Sequence, residues 1–336
     1  MNAIKRLFTN NPKIWVIFGL LVALFSVTAL FEERFRGAEN LANTMRWVGL
    51  YGIISIGVAF VIITGGIDLS IGSLIALTGV LTPMMLTKGE PFFDNSVGVP
   101  FTFAIVLLIS AAIGFFHGVM VTKLGIQPFL VTLCGLFIYR GFARAAGDDQ
   151  TQGFEGGFGE LRNSLVKDKV FDLIPMSFIV MLVIAIVAAI VLNKTVFGRY
   201  LMAIGHNEEA ARFSGIKTDR MKIAAYMICS ILGGFGGILF VLDTNGATPS
   251  SFGNFYELYA IAGAVLGGCS LRGGEGAIFG VICGAALVQV SEKAVFFLGV
   301  EEKWKFAVIG TFILVGVVAD ELFRRWTERR RRLAEG

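Results

Sequence analysis

The residues best suited to chemistry begin at Gly65-Gly66-Ile67-Asp68-Leu69-Ser70-Ile71-Gly72-Ser73, where one carboxylate and two hydroxyls follow a glycine pair between two apolar runs. The glycines free the backbone to leave a helix. Asp68 or Ser70 can then cap the helix that follows, whose start carries partial positive charge. Irregular backbone at membrane depth is tolerated only beside protein or a wet cavity, and an ionisable group there points to a solute route. The alternative is a cytoplasmic turn with a capping carboxylate. Either way the chemistry on offer is binding and capping, not bond cleavage: no nucleophile–base pairing and no HExxH is visible.

Two further segments stand out. Gly267-Gly268-Cys269-Ser270-Leu271-Arg272-Gly273-Gly274-Glu275-Gly276 also joins a short apolar run to a glycine-rich one. Paired glycine-broken short segments are pointers to a transport site. The two do not match in a strict five-plus-five repeat, and Arg272 with Glu275 reads as a loop pair rather than a substrate clamp. In Gly205-His206-Asn207-Glu208-Glu209-Ala210-Ala211-Arg212-Phe213-Ser214-Gly215, Asn207 is a good N-cap. Glu208 and Glu209 suit a helix start, Arg212 suits its end, and Gly215 is a stop signal. The spacing predicts a two-turn helix, shaped either to fill a groove on a partner or to lie on the lipid interface.

The elements that carry these residues follow from composition. The chain has 336 residues, 55% hydrophobic and only 16% charged, against about 25% charged in soluble proteins. Mean hydropathy is +0.74, and glycine supplies 42 residues. These values exclude a soluble globular enzyme, a disordered chain and a disulfide scaffold. They leave an all-α polytopic bundle, a single transmembrane domain over residues 1–336. Charge-poor windows fall at 14–31, 47–64, 69–87, 99–122, 126–139, 173–193, 223–242, 258–271, 276–291 and 306–319, giving about ten spans at ~20 residues per crossing. The fifth is expected to run past Arg140, and the ninth past Glu292-Lys293. The first reads as an uncleaved span: it is too long for a signal h-region and lacks an A-x-A site.

Lys/Arg placement orients the bundle. Lys5, Arg6 and Lys13, the segment 194–222 with Lys194, Arg199, Arg212, Lys217, Arg220 and Lys222, and the tail 320–336 with Arg324, Arg325 and Arg329 to Arg332 all belong in the cytoplasm. Six crossings then four satisfy the parity, with both termini cytoplasmic. Segments 88–98, 145–172 and 243–257 then fall outside. Arg140 and Arg144, near an outer end, fit this less well. Trp15, Trp47, Tyr51, Tyr139, Tyr200 and Trp304 are placed near span ends as interfacial belts. Small-residue pairs such as Gly114/Gly118, Gly233/Gly237, Gly263/Gly267 and Gly276/Gly280/Gly284 suit close helix packing. Cys134, Cys229, Cys269 and Cys283 lie in apolar runs without CxxC spacing and read as buried inert thiols. Two histidines, His117 and His206, cannot build a metal site alone. A net charge of +4 without a basic stripe argues against nucleic acid as a partner.

With these segments in view, the chain resembles the membrane-spanning permease subunits of bacterial ABC importers of the ribose type, a group that also serves xylose, arabinose and galactose. The resemblance rests on GGIDLSIGS (65–73), TLCGLFIYRG (132–141), GRYLMAIGHNEEAARFSGIK (198–217) and YELYAIAGAVLGGCSLRGGEG (256–276), in order and spacing. It implies two permease copies in the cytoplasmic (inner) membrane, cytoplasmic ATPase subunits and an external sugar-binding protein. It also implies that 198–217 is the coupling element that meets the ATPase. Relatives usually carry Gly or Asn where His206 stands. No GxxxxGK[ST] occurs in the chain, so ATP would be used by a partner, with no cofactor on this chain and no enzyme activity of its own.

For a neutral sugar the route needs hydrogen-bonding groups without a strong field. The candidates are Gly65, Gly66, Asp68, Ser70, Ser73, Thr132, Ser270 and Gln289, with Phe129 offering an aromatic face. Another solute (a nucleoside, a quorum-signal sugar or a branched-chain amino acid) is the alternative. An amino acid's carboxylate would favour arginine in the route, and the spans offer only Arg140. An ion-coupled transporter would carry several intramembrane carboxylates, and here there are only Asp68 and Glu292 at span edges.

Overall fold

The computed structural model describes residues 12–87, 98–154, 158–299 and 301–304, with isolated positions from 307 to 318. Lys5, Arg6, most of segment 88–98, most of the tenth window and the arginine tail lie outside the described residues. The helices are α1 (Pro12–Phe31), α2 (Ala38–Ile63), α3 (Ile71–Leu86), α4 (Val99–Lys123), α5 (Pro128–Ala146), α6 (Met176–Lys194), α7 (Val196–His206), α8 (Glu208–Phe213), α9 (Thr218–Thr244), α10 (Tyr256–Leu266) and α11 (Ile278–Phe297). Nine of the ten apolar windows are therefore helical. Helices α2, α4, α5, α6, α9 and α11 are long and apolar enough to cross a bilayer. Helix α5 runs past Arg140 and α11 past Glu292-Lys293, as expected.

Helix α2 is the axis of the bundle. It is buried at every position from Val48 to Ile63, as a helix apolar on all sides must be. It begins well before the apolar window. Its polar first turns are held by Arg46, which donates to Asp243 Oδ1 (2.7 Å) and Asn43 Oδ1 (3.0 Å). Helix α9 packs beside it, and the small-residue faces do what their spacing implies. A methyl on Gly114 or Gly118 of α4 would fall closer than 3.0 Å to the α9 backbone at Tyr226–Met227 or Ile223, and Gly263, Gly267 and Gly284 bring α10 against α11 in the same way.

The two short helices, α3 and α10, touch one another. Helices α3 and α4 pack on α9, while α10 and α11 pack on α2. Each short helix follows a long one through a non-helical link, 64–70 before α3 and 245–255 before α10. Segment 243–257, expected outside, packs along α3. A methyl on Gly79 would meet the Phe252 ring, and one on Gly72 would meet Glu257 and the Gly253 carbonyl. The loop thus descends along α3 from Gly79 to Gly72, about 10 Å at 1.5 Å per residue, and brings the N-termini of α3 and α10 together. Eleven-residue α10 is ~16 Å long and falls short of a ~30 Å hydrocarbon core. The backbone of 245–255 is held there by Arg140 of α5, which donates to the carbonyls of Pro249 (3.0 Å) and Phe252 (2.6 Å). This gives Arg140 its place inside the bundle.

At the end opposite α8, Arg162 donates to Asp243 O at 3.2 Å, and Gln152–Gly153 pairs antiparallel with Gly246–Ala247. Lys169–Val170 pairs with Ile174–Pro175 nearby in sequence. Arg144 donates to both carboxylate oxygens of Asp149 at 2.7 Å, holding that carboxyl below its usual range. Two belt assignments are corrected. Tyr51 and Tyr139 are buried, because α2 starts earlier and α5 ends later than their apolar windows. Cys134 is exposed in the isolated chain, whereas Cys229, Cys269 and Cys283 are buried.

Candidate functional site

Three constructions hold the residues singled out above. The first is the break between α2 and α3. Gly65 turns the chain out of α2 with φ of 79°, a region open to glycine at little cost. Asp68 is fully buried. Its Oδ1 accepts from the Ser70 amide (2.9 Å) and hydroxyl (2.7 Å), so the carboxylate caps the start of α3. Its Oδ2 lies 3.9 Å from His117 Nδ1 of α4, and His117 Nε2 is hydrogen-bonded to Tyr139 Oη of α5 at 2.9 Å. Among the described residues Asp68 Oδ2, His117 Nδ1 and Tyr226 Oη have no hydrogen-bond partner. Thr132 Oγ1 sits 3.0 Å from Pro128 O and 3.3 Å from Ile67 O, tying α5 to the link. Gly66 abuts the Tyr226 hydroxyl, and Ser73 is buried in the first turn of α3. Asp68 thus sits inside the bundle, level with Tyr226 and Cys229, between two and three turns into α9.

The second construction is the segment 196–217. Asn207 Oδ1 accepts from the Ala210 amide at 2.9 Å, capping α8 as its sequence predicts. Gly215 leaves the helix with φ of 83°. Glu208 is held by Lys222 (2.9 Å), and Arg212 reaches Asp219 (3.2 Å) and Thr218. Lys123 at the end of α4 also pairs with Asp219, at 2.6 Å. Ala211 is buried on the inner face of α8, while Glu209, Ala210, Arg212, Ser214 and Gly215 are exposed and Phe213 is 91% exposed at its tip. The helix α7 before it was not foreseen. Its last turn is wedged into the bundle. A methyl on Gly205 would fall closer than 3.0 Å to Ile63 O, Gly274 N and the Gly273 carbonyl carbon, and the His206 ring covers Gly274. The Gly274 amide in turn donates to Ile63 O at 2.8 Å. One glycine therefore touches both the end of α2 and the link from α10 to α11. Ser270 belongs to that link: its amide donates to Glu275 O (3.1 Å) and its hydroxyl oxygen accepts from the Arg272 amide (3.3 Å).

The third construction is a cavity of about 340 Å³ between α2, α10 and α11, lined by Trp47, Tyr51, Asn254, Phe255, Tyr256, Tyr259, Gln289, Glu292 and Lys293. It lies toward the end opposite α8. Of the residues chosen from sequence, only Gln289 lines it. Phe129 is on an exposed face of α5, and the remaining candidates group at the break or at Ser270. The aromatic members were missed. Their helical spacing, Trp47/Tyr51 and Tyr256/Tyr259, was the available signal, and the first pair was assigned to a belt instead. His117 and Tyr139 were missed for another reason: nothing in sequence pairs them with Asp68.

Six helices long and apolar enough to cross a bilayer, packed in one all-α bundle, define a polytopic membrane protein. The branched-chain amino acid transport system / permease component family matches residues 40–317, and the chain belongs to that family. It is 32% identical to the ribose import permease protein of Haemophilus influenzae, over 89% of this chain and 90% of that one. Identity to the ribose import permease protein of Bacillus subtilis is 33%, over 92% of both. The galactose/methyl galactoside import permease protein of Salmonella typhimurium is 31% identical, over 95% of this chain and 97% of its own. No solved structure matches the chain.

Proposed function

We propose that this chain is the membrane-spanning subunit of a binding-protein-dependent ABC importer of the bacterial cytoplasmic membrane, and forms the path of a neutral monosaccharide. ATP is hydrolysed on a separate cytoplasmic subunit, which grips α8. A second permease copy completes the pore, and an external binding protein delivers sugar to the opposite end. The observation that carries this reading is the wedge of Gly205 and His206 between the end of α2 and the α10–α11 link, beneath an exposed helix tipped by Phe213. A push on α8 is passed by α7 to both broken-helix units at once, and helix groups then rock as rigid bodies. The ribose and galactose relatives support a sugar cargo. So does Arg140: its guanidinium is committed to the Pro249 and Phe252 carbonyls, which leaves it unsuited to receive a substrate carboxylate.

The test is to replace residues 207–214 with a glycine-serine linker. The variant is expected to insert normally, to lose co-purification of the ATPase subunit and to fall to background uptake. ATP-coupled uptake retained in that variant would remove α8 from the coupling role.

A further inference from the structure

We propose that the cavity between α2, α10 and α11 is a holding site for one neutral sugar ring, so that each permease chain carries a site of its own in addition to any path between two copies. The inference rests on the sugar-import reading above. Its size, about 340 Å³, is at the lower end of the ~300–1,000 Å³ range of small-molecule sites, which suits a single ring better than an oligosaccharide. The walls form one aromatic platform. Tyr51 is in ring contact with Trp47 (6.0 Å between centroids), Tyr256 (5.1 Å) and Tyr259 (5.3 Å), so the rings hold one another in place before a ligand arrives. The C–H faces of a sugar pack on such rings, while its hydroxyls require donors and acceptors at the edge.

Gln289 supplies the observation that points to a ligand. It is 3% exposed, it lines the cavity, and its Nε2 has no hydrogen-bond partner among the described residues. A buried donor without an acceptor is costly, and a hydroxyl oxygen in the cavity would satisfy it. Asn254 from the loop 245–255 offers a second amide, and Tyr256 stands in the first turn of α10, whose partly positive end also favours an oxygen ligand. The charged members of the lining are Glu292 and Lys293. With one of each sign, the site carries no net charge to select an ion. Transporters build substrate sites on short, discontinuous helices, and α10 is a short helix entered through the non-helical link 245–255.

The experiment is uptake of radiolabelled D-ribose and D-galactose by the complete importer, with wild type, Gln289→Met, Tyr259→Phe and Tyr259→Ala. If wild type takes up neither sugar, ribose and galactose are not its cargo, and the same variants are read with D-xylose and L-arabinose. Given wild-type uptake, Gln289→Met removes the amide at similar volume. It is expected to lower the maximal rate about tenfold, the scale of one lost buried hydrogen bond. Half-saturation, set at the binding protein, and binding-protein-stimulated ATP hydrolysis remain. Tyr259→Phe keeps the ring and the rate, and Tyr259→Ala loses it. Should Gln289→Met fail to insert, the Tyr259 pair decides the question by the same readout. Wild-type maximal rates per inserted molecule in Gln289→Met or Tyr259→Ala would overturn the proposal.

Discussion

Gly205→Ala is expected to reduce ATP-coupled uptake by at least tenfold while leaving the ATPase subunit bound. The methyl would enter a space already bounded by Ile63 O, Gly274 N and the Gly273 carbonyl carbon. These are backbone atoms, which cannot rotate away as a side-chain terminus can. Overpacking typically costs ~1–3 kcal/mol, and contact with backbone from two elements puts this site at or above the top of that range. Relief requires α7 to lift from the α2 end or the Ile63–Gly274 hydrogen bond to open. Either response breaks the mechanical path without altering α8, whose cap at Asn207 and ion pairs at Glu208 and Arg212 stay in place. Uptake and ATPase co-purification measured together separate this outcome from misfolding. Wild-type uptake in Gly205→Ala would show that the wedge transmits nothing.

Asp68→Ala is expected to destabilise the inserted protein by about 1–3 kcal/mol, the scale of a buried polar group left without its hydrogen-bond partner, with Asp68→Asn costing much less. The alanine leaves the Ser70 amide and hydroxyl without their shared acceptor and opens a void at a fully buried position. Each unpaired buried group costs ~1–3 kcal/mol. Asparagine keeps the acceptor that Ser70 needs. It replaces only the second oxygen, which lies 3.9 Å from His117 Nδ1, beyond hydrogen-bond length. Thermal unfolding in detergent reads the order wild type, Asn, Ala. A stable Asp68→Ala would mean that the start of α3 is held by packing alone. Since α3 begins where Gly253 of the loop and Glu257 of α10 meet it, loss of the cap should also lower uptake.

Much of this architecture is legible in the chain because each signal is local. Apolar windows mark nine helices. Asn207, the two glutamates and Gly215 mark α8 to the residue, because a cap and a stop act on adjacent backbone. The glycine pairs mark α4–α9 and α10–α11 contacts, because close approach needs a missing side chain wherever the partner lies. What was not legible depends on residues far apart in sequence. Nothing near Arg140 says that it donates to the carbonyls of Pro249 and Phe252, so the loop 245–255 reads as external. The paired breaks are 64–70 and 245–255, and glycine content directed attention to 267–276 instead. Trp47 and Tyr51 have belt chemistry, and only the earlier start of α2 moves them inward to the cavity. Asp68 leaves two readings open, a cytoplasmic turn with a capping carboxylate or an ionisable group on a solute route, because hydropathy does not measure how far a link climbs. Its side chain is fully buried, 3.9 Å from His117 Nδ1.

The most direct measurement is accumulation of radiolabelled D-ribose and D-galactose in proteoliposomes that contain this chain with its ATPase subunit and binding protein. The account predicts accumulation only when ATP, the ATPase and the binding protein are all present, with no response to an imposed proton or sodium gradient. Accumulation driven by such a gradient in the absence of the ATPase would contradict it.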